Sequence, residues 1–270
     1  MKVTLLGTGT SGGVPSVGCH CRVCRSNNPR DHRLRCVALV ETKHTRLLID
    51  CGPDIRQQLL PLDFRPIDGV LLTHEHYDHI GGIDDLRPYC KFGPIRLYGD
   101  KATLRHVRAN LPYCFPHGPA QWLESVLPGL KLKLYPGVPK LSLTRVVPHQ
   151  QFTIGDIDIM PISVMHGNLP ILGYRIGRHF AYITDMKTIN PQELQYLDGV
   201  ETLVVNALRF DKPHHSHQTV DEAVAFAKSV GAHKTYLIHC NHDIGLASEA
   251  HHRLPSGVSL AYDGQEIWTD

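Results

Sequence analysis

The sequence predicts an α/β (α+β) fold in which two β-sheets are flanked by helices. Short β-like runs outnumber helical patterns, and turn signals such as Gly155-Asp156 and Gly177-Arg178 separate several of these runs. Helical patterns are inserted between the runs at intervals, which favours a single domain over residues 1–270. No apolar run approaches the roughly 18 residues that a membrane-spanning helix needs, so no membrane association is expected.

The predicted strands are short runs rich in apolar and β-branched residues. They cover residues 3–6, 37–41, 46–50, 70–72, 95–98, 143–147, 157–164, 172–176, 180–183, 203–206, 235–238 and 258–262. Helices are predicted over residues 53–60, 101–110, 191–197 and 219–229. The last is the best defined because Thr219 and Glu222 form a capping box, and Pro191 is typical of a first helical turn.

Composition narrows the functional classes. Of the 270 residues 42% are hydrophobic, and the formal net charge of +2 disfavours a dedicated binder of nucleic acid. Histidine is unusually frequent, with 19 residues, many of them in short clusters that favour metal binding. No secretory signal pattern precedes the first predicted strand, so we expect a cytoplasmic protein whose eight cysteines are reduced.

A glycine-rich segment after the first predicted strand, residues 7–12, matches the pattern G-x-G-x-x-G. In dinucleotide-binding proteins this pattern opens a helix. Here Gly13, Val14 and Pro15 follow and lead into cysteines, which predicts a turned loop instead of a helix. We therefore expect no nucleotide cofactor, and we expect the loop to lie near the functional site.

The strongest functional signal lies in residues 73–79, directly after the predicted strand 70–72. Neutral imidazoles and carboxylates are good ligands for zinc and similar divalent metals. His74 and His76 are two apart in extended chain and point the same way, whereas Asp78 and His79 follow a bend and can face a second position. The run therefore predicts half of a two-metal site at the carboxyl end of a strand.

Three later residues are candidates for the other half of that site. His166, Asp185 and His239 each lie just beyond a predicted strand, and these strands end at residues 164, 183 and 238. A metal-binding side chain beyond three separate strands is expected where strand ends converge on a site.

The order of these ligands resembles the metallo-β-lactamase superfamily. The resemblance rests on the H-x-H-x-D-H run, on the later histidine, aspartate and histidine, and on residues 8–10 and 49–52. It runs through the whole chain and implies a four-layer αββα sandwich with two divalent metals, zinc or manganese, bridged by Asp185. The implied ligands of the first metal are His74, His76 and His166. Those of the second are Asp78, His79 and His239.

A second metal-binding pattern lies in the loop 18–25, where C-x-C-x-x-C supplies Cys19, Cys21 and Cys24. A closed tetrahedral zinc site needs a fourth ligand. His242, three residues beyond a predicted ligand, is the leading candidate for this structural zinc, with His20 and Cys240 as rivals. A similar loop and histidine form the structural zinc site in the branch of phosphoribosyl 1,2-cyclic phosphate phosphodiesterases of phosphonate breakdown, which the chain resembles most. The quinone-cofactor biosynthesis branch carries a similar cysteine loop.

His217 lies just before the helix that is predicted to start near Thr219. Helix N-termini favour phosphate, and a histidine there can contact a phosphate oxygen or protonate a leaving oxygen. The phosphodiesterase branches of the superfamily carry a functional histidine at this point, and His217 matches it best by its distance to the helix. His214 and His215 are expected to be exposed turn residues.

The segment 111–148 is rich in proline, which prevents long helices and central strands. It is expected to be a meandering surface connection or, alternatively, a lid or dimer contact, so a homodimer stays open. The segment is longer than the likeness to cyclic phosphodiesterases leads us to expect, and substrate identity therefore does not transfer with that likeness.

The leading functional hypothesis is a dinuclear phosphodiesterase that hydrolyses a small, cyclic phosphodiester. A hydroxide held by both metals would be the nucleophile, with Asp78 or Asp185 moving the proton and His217 assisting the phosphate or the leaving group. A tRNA 3′-processing endonuclease is the first rival, but residues 111–148 carry few basic side chains. A glyoxalase-type thioester hydrolase lacks the cysteine loop. A non-catalytic relative of the cofactor-biosynthesis branch is disfavoured by the complete ligand set.

Overall fold

The computed structural model of the protein describes residues 1–115 and 137–269, which form two seven-stranded mixed sheets. The first sheet has the order β14-β1-β2-β3-β4-β5-β6, with strands β1 (Lys2–Gly7), β2 (Val37–Glu41), β3 (Arg46–Ile49), β4 (Gly69–Leu71), β5 (Ile95–Gly99), β6 (Leu141–Arg145) and β14 (Gln265–Trp268). The second has the order β13-β12-β11-β10-β9-β8-β7, with strands β7 (Phe152–Ile154), β8 (Ile157–His166), β9 (Leu169–Ile176), β10 (Phe180–Ile183), β11 (Thr202–Asn206), β12 (Lys234–Ile238) and β13 (Val258–Leu260).

The helices are short and lie between strands. The α-helices of the described residues are α1 (Ile55–Leu59), α2 (Tyr77–Ile80), α3 (Lys101–Asn110), α4 (Val220–Val230) and α5 (Ala247–Ala250). The 3₁₀ turns are Pro29–Asp31, Ile83–Phe92, Pro112–Cys114, Pro191–Leu197, His242–Ile244 and His251–Arg253. None of these helices has both the length and the apolar character needed to cross a bilayer.

Three hydrophobic clusters give the molecule its layers. The first joins the facing surfaces of the two sheets and includes the fully buried Leu47 and Tyr174. The second packs the first sheet against its helices through side chains such as Ile55, and the third packs the second sheet against α4 through Ala223 and Phe226. The chain therefore has the predicted four-layer αββα sandwich.

The direction of the strands determines which edge of each sheet carries the loops that follow them. In the first sheet β3, β4, β5 and β6 run parallel, and in the second β10, β11, β12 and β13 do so. The carboxyl ends of neighbouring parallel strands meet at one edge of a sheet. Cross-sheet hydrogen bonds join the two sheets near that edge: Tyr174 Oη donates to the Leu72 carbonyl at 2.6 Å, and the Leu172 N–H donates to the Thr73 carbonyl at 3.0 Å.

Several sequence predictions need correction. The predicted helix 191–197 is a 3₁₀ helix, Pro191–Leu197, which follows the Asn190 cap, whose side chain accepts a hydrogen bond from the Gln192 N–H. The predicted strand 143–147 begins two residues earlier, as β6, and lies at the sheet edge as its proline-rich surroundings require. Strands β7 and β14 were not predicted because they are short and only partly apolar. The predicted insertion 111–148 lies partly outside the described residues.

The capping box of α4 is confirmed. Thr219 Oγ1 accepts a hydrogen bond from the Glu222 backbone N–H at 3.4 Å, and the Glu222 carboxylate accepts one from the Thr219 N–H at 2.8 Å. The glycine-rich segment 7–12 leads into no helix before Pro29–Asp31 within the described residues. Instead the Gly13 N–H donates to the Thr10 carbonyl at 2.8 Å, which closes a turn beside Cys240.

Candidate metal centre

Strand ends from both sheets bring the predicted metal ligands together. His74 and His76 follow β4, His166 ends β8, Asp185 follows β10 and His239 follows β12. Seven side chains converge there, and we call them the His/Asp cluster: His74, His76, Asp78, His79, His166, Asp185 and His239. The sequence-based expectation that these residues share one place in the fold is met.

The ligand atoms of the His/Asp cluster fall into groups in which all atoms lie within 4.8 Å of one another. One group consists of His74, His76 and His166. A second consists of Asp78, His79, Asp185 and His239. Asp185 also forms a third group with His166 and His217, so its carboxylate lies between the first two groups.

Two carboxylates face two imidazoles in the second group. Asp185 Oδ1 lies 3.3 Å from His79 Nε2, and Asp185 Oδ2 lies 3.2 Å from His239 Nε2. Asp78 Oδ2 approaches the same two nitrogens at 3.2 and 3.5 Å. The four side chains therefore point their oxygen and nitrogen atoms at a common centre.

Asp50 orients His79 from the opposite side of its ring. His79 Nδ1–H donates to Asp50 Oδ2 at 2.7 Å, so Nε2 is the ring nitrogen that faces the cluster. Asp50 is itself fixed because it accepts hydrogen bonds from the Thr73 N–H at 2.8 Å and from the Thr73 hydroxyl. A carboxylate that fixes the tautomer of a histidine is the outer-shell arrangement common to metal sites.

Two more histidines of the cluster are oriented in the same way. His166 Nδ1–H donates to the Ser216 carbonyl at 2.8 Å, and His74 Nδ1 lies 3.0 Å from Thr73 Oγ1. Because a carbonyl oxygen can only accept, Nε2 of His166 carries the free lone pair. His74 Nε2 and His76 Nδ1 lie 2.9 Å apart and face the same space.

The backbone is strained at the strand ends that carry the site. Asp50, Asp185 and His239 have φ values of 64°, 56° and 57°, a left-handed conformation that non-glycine residues rarely adopt. Such strain persists where surrounding structure holds it in place, and it concentrates at functional sites. Asp185 and His239 are members of the cluster, and Asp50 contacts His79.

Several buried ring nitrogens of the cluster lack hydrogen-bond partners in the described part of the chain and are suited to bind a metal. His79 Nε2 and both ring nitrogens of His239 are buried without a hydrogen-bond partner among the described residues. Leaving such groups unpaired costs about 1–3 kcal/mol each. A donor set of imidazole nitrogens and carboxylate oxygens is one that zinc and related divalent metals accept.

The charges of the cluster depend on mutual contacts. Burial alone would raise the pKa of Asp78 and Asp185, but His79 and His239 beside them outweigh it and lower both pKa values. Burial would lower the pKa of His79, but the nearby carboxylates of Asp185, Asp50 and Asp78 raise it. Burial lowers the pKa of His74 and His76, which keeps both neutral and able to act as ligands.

His217 lies beside the His/Asp cluster, as predicted from its position before α4. Its ring centroid is 4.6 Å from that of His166 and 4.7 Å from that of His239, and its Nδ1 lies 3.8 Å from Asp185 Oδ2. Burial and the neighbouring His239 lower the pKa of His217 to about 3, so the ring is neutral. The prediction for His214 was wrong: it is half-buried, because its ring stacks on that of His217 at 5.1 Å, whereas His215 is exposed.

The predicted cysteine loop forms a second, separate group of ligand atoms, the Cys/His cluster: Cys19, Cys21, Cys24 and His242. Cys24 Sγ lies 3.4 Å from His242 Nδ1. Backbone N–H groups of Ser16 and Cys24 donate to the sulfurs of Cys24 and Cys21, each at 3.4 Å. Burial raises the pKa of the Cys24 thiol to about 11, and the hydrogen bond from the Cys24 backbone lowers that of Cys21.

The two rival fourth ligands lie elsewhere. His20 is exposed and Cys240 is fully buried, where its thiol donates towards the Leu237 and Ile238 carbonyls. His242 therefore completes the group because the 3₁₀ turn His242–Ile244 carries it from the end of β12 to the cysteine loop.

A protein-family comparison agrees with this architecture. A family model described as a beta-lactamase superfamily domain matches residues 45–240, which contain the whole His/Asp cluster. The chain belongs to the metallo-β-lactamase superfamily. Its sheet order and strand-end cluster are thus those of a superfamily that contains metal-dependent hydrolases.

Two solved structures are similar in fold to this chain over its full length. A solved structure described as a new diphosphatase from the PhnP family is 34% identical, with a TM-score of 0.85, covering 100% of this chain and 98% of that one. A zinc-bound PqqB from Methylobacterium extorquens, 18% identical with a TM-score of 0.76, shares the fold over 100% of both chains.

Curated relatives extend beyond this chain. A Porphyromonas gingivalis protein named octanoyltransferase is 42% identical over 100% of this chain and 52% of its own length. A coenzyme PQQ synthesis protein B from Methylobacterium radiotolerans is 33% identical over 53% of this chain and 54% of its own. The chain thus spans about half the length of the curated relatives it matches.

Reasoning from the sequence missed the residues that hold the ligands in place. Asp50, Thr73 and Ser216 were given no role, although each contacts a histidine of the cluster. A signal existed for Asp50, since a polar residue directly after the apolar strand β3 resembles the three predicted strand-end ligands. Ser216 acts through its backbone carbonyl, and a backbone contact cannot be predicted from the residue type.

Proposed function

We propose that the protein is a dinuclear metal-dependent phosphodiesterase that acts on a small, cyclic phosphodiester. The observation that carries the proposal is the His/Asp cluster, in which oriented histidines and two ionised carboxylates face one another in two groups joined by Asp185. Superfamily membership and likeness to a diphosphatase support the coarser statement, a metal-dependent hydrolase.

In this proposal the two groups hold two divalent metals, zinc or manganese. His74, His76 and His166 would hold the first. Asp78, His79 and His239 would hold the second, and Asp185 would contact both. When bound, the metals would lower the pKa of water towards neutrality and offset negative charge on the phosphoryl oxygens.

The chain's own residues position and protonate the substrate. Asp78 and Asp185 are ionised, because their pKa values are lowered. In this proposal one of the two carboxylates would move the proton of the attacking water. His217 is neutral and lies beside Asp185, so it can donate one N–H to a phosphate oxygen at the mouth of the cluster. We assign to it the role of binding the phosphate and assisting the leaving oxygen.

The Cys/His cluster is assigned a structural zinc, held by Cys19, Cys21, Cys24 and His242. Zinc there would join the N-terminal loop to the segment after β12, only three residues from His239. Such a site contributes folding free energy, because the thiolates do not assemble in the unfolded chain. The eight cysteines are free, consistent with the proposed cytoplasmic location, and a homodimer is the oligomer we propose to test.

One observation favours a second candidate substrate. The relative that matches this chain end to end at 34% identity is described as a diphosphatase, so a phosphoanhydride is the alternative to a cyclic phosphodiester. Both reactions place negative oxygens at the same metals and need no change in the ligand set. The formal charge of +2 continues to disfavour tRNA.

The test is hydrolysis by protein loaded with zinc or with manganese and shown by metal analysis to hold the metals. Bis-p-nitrophenyl phosphate reports phosphodiester cleavage, ribose 1,2-cyclic phosphate reports the cyclic class, and ADP-ribose reports phosphoanhydride cleavage. We expect metal-dependent turnover of the first two. Turnover of ADP-ribose alone would move the assignment to a diphosphatase, and turnover of none would overturn it.

A further inference from the structure

A cavity of about 410 Å³ lies away from the His/Asp cluster, between the open edges of the two sheets. Residues of β13, the segment after it and β14 form one wall, and residues from the 3₁₀ turn Pro29–Asp31 and from α5 form the other. Its size falls within the range of sites for small organic ligands.

Two arginines and two histidines line the cavity. Arg30, Arg33, His251 and His252 line it, together with neutral polar side chains, and none of its lining residues is a carboxylate. The two nearby aspartates are engaged elsewhere: Asp31 accepts hydrogen bonds from Ser26 Oγ and the Ala247 N–H. A bound anion would therefore meet two guanidiniums and no carboxylate among the residues that line the cavity.

The other nearby aspartate is also engaged. Asp263 does not line the cavity, and its two oxygens accept hydrogen bonds from Thr8 Oγ1 at 2.7 Å and from the Leu34 N–H at 2.6 Å. The Thr8 hydroxyl links Asp263 to Arg33, because it accepts a hydrogen bond from Arg33 Nη1 at 2.9 Å and donates one to Asp263 Oδ1.

Arg33 is a buried cation with donors to spare. Arg33 is only 3% exposed. Its Nη1 donates hydrogen bonds to Thr8 Oγ1 at 2.9 Å and to the Ala261 carbonyl at 2.6 Å. Within the described residues its Nε and Nη2 make no hydrogen bond, and the residue lines the cavity. These donors are available to an anion in the cavity, which could form charge-assisted hydrogen bonds with them.

Arg30 from one wall and Tyr262 from the other form a flat surface that lines the cavity. The Arg30 guanidinium lies over the Tyr262 ring at 4.9 Å from its centroid, which fixes both groups by a cation–π contact. Planar groups such as a nucleobase stack on arginine and tyrosine, and the cavity is larger than a phosphate ion requires.

We propose that this cavity binds a phosphate monoester of mononucleotide size, with the phosphate at Arg33 and Arg30 and the planar group against the Arg30–Tyr262 pair. The site is distinct from the proposed catalytic centre. It does not depend on the proposed function, because it shares no residue with the His/Asp cluster.

The experiment is calorimetric titration of zinc-loaded protein with AMP and, separately, with inorganic phosphate. The host carries His74→Ala and His239→Ala, which removes one ligand from each of the two metals proposed for the His/Asp cluster, so that binding at the catalytic centre does not contribute. We expect one AMP per chain, bound more tightly than inorganic phosphate, and an affinity about 10-fold weaker in Arg30→Ala, as loss of a charge-assisted hydrogen bond predicts. Arg105→Ala, on the surface of α3, is the matched control and should bind as the host does.

Arg33→Lys is a second variant, since it keeps a buried cation while losing the planar fork; it should also weaken AMP binding. Equal affinities for AMP and phosphate would overturn the nucleotide assignment. Absence of saturable AMP binding by a folded host, or unchanged binding in both Arg30→Ala and Arg33→Lys, would overturn the site itself. Arg30→Ala in the otherwise native chain should leave turnover of bis-p-nitrophenyl phosphate unchanged.

Discussion

The His/Asp cluster and the Cys/His cluster lie three residues apart along the chain, at His239 and His242, yet they are built differently. In the His/Asp cluster, buried hydrogen bonds from Asp50, Thr73 and Ser216 orient the ligands before any metal binds. The Cys/His cluster is half-exposed and draws three of its four ligands from one short loop.

This difference separates two roles. A cluster whose histidines are oriented by a second layer of contacts is suited to holding metals in one geometry while substrate changes, which catalysis requires. A loop of thiols with few contacts gains its order from the metal, which is a stabilising role. Damage to the first should therefore remove activity and leave folding intact, whereas damage to the second should remove stability first.

The largest expected effect is that of Asp185→Asn on activity. Asp185 lies between the two ligand groups, so loss of its charge should lower kcat about 1000-fold, on the order of 4 kcal/mol of transition-state stabilisation. Turnover of bis-p-nitrophenyl phosphate and the melting temperature measure the two outcomes. Asp198→Asn, on an exposed turn, is the control. An active Asp185→Asn enzyme would contradict the assignment of catalysis to the His/Asp cluster.

A smaller effect, a loss of metal affinity, is expected for Asp50→Asn. The amide oxygen can still accept from His79 Nδ1–H, but the negative charge that strengthens this contact is gone. Metal affinity should fall by about 10–100-fold, the usual cost of changing an outer-shell partner. Titration with zinc followed by activity measures this, and excess metal should restore most of kcat. Failure of excess metal to do so would give Asp50 a role other than orientation.

Cys24→Ser should act on stability. Losing the zinc proposed for the Cys/His cluster should lower the melting temperature by roughly 10 °C, since 1 kcal/mol corresponds to about 2–4 °C for a chain of this size. Metal analysis should show one zinc fewer, with kcat per folded molecule retained. Cys90→Ser, whose thiol lies near Lys140 and away from both clusters, is the matched control. A variant that keeps its stability but loses activity would reverse the roles of the two clusters.

The two clusters should also differ in the protons they release on binding metal. The Cys24 thiol has a pKa raised to about 11 and must lose its proton. In the His/Asp cluster Asp78 and Asp185 have lowered pKa values and are already ionised, and His79, whose pKa is raised, is the group that must lose a proton. Zinc binding to the Cys/His cluster should therefore weaken more steeply as pH falls. Calorimetry of metal-free protein in buffers of different ionisation enthalpy counts the protons, with Cys24→Ser isolating the other cluster. Equal proton release would contradict the comparison.

Thr219→Ala should have the smallest effect. It removes the capping box of α4 and should cost about 1 kcal/mol, or about 2–4 °C in melting temperature. Neither cluster should lose metal, because Thr219 contacts neither of them. Thr219→Ser, which keeps the hydroxyl, should behave as the unmodified protein, and metal loss in Thr219→Ala alone would show that α4 also supports the clusters.

Sequence reasoning reached those features that depend on residue type and spacing. The H-x-H-x-D-H run, the three strand-end ligands and the cysteine loop were identified because imidazoles, carboxylates and thiols are typical metal ligands. The capping box of α4 was found because its two residues have a fixed spacing. The strands were mostly found because each is a short apolar run.

The features that were missed depend on tertiary structure. The carbonyl of Ser216 orients His166 only because the loop before α4 folds back over β8, and no local pattern encodes that contact. The burial of His214 comes from stacking on His217, which spacing along a turn does not predict. The positive φ values at Asp50, Asp185 and His239 occur just beyond the ends of β3, β10 and β12, and residue type does not predict them.

The most direct test of the account is a crystal structure of the zinc-loaded protein with anomalous data at the zinc edge. The account predicts three peaks: one among His74, His76 and His166, one among Asp78, His79 and His239, and one at the Cys/His cluster. Asp185 should contact the first two. A single peak or none in the His/Asp cluster, at full zinc loading, would contradict the claim of a dinuclear centre.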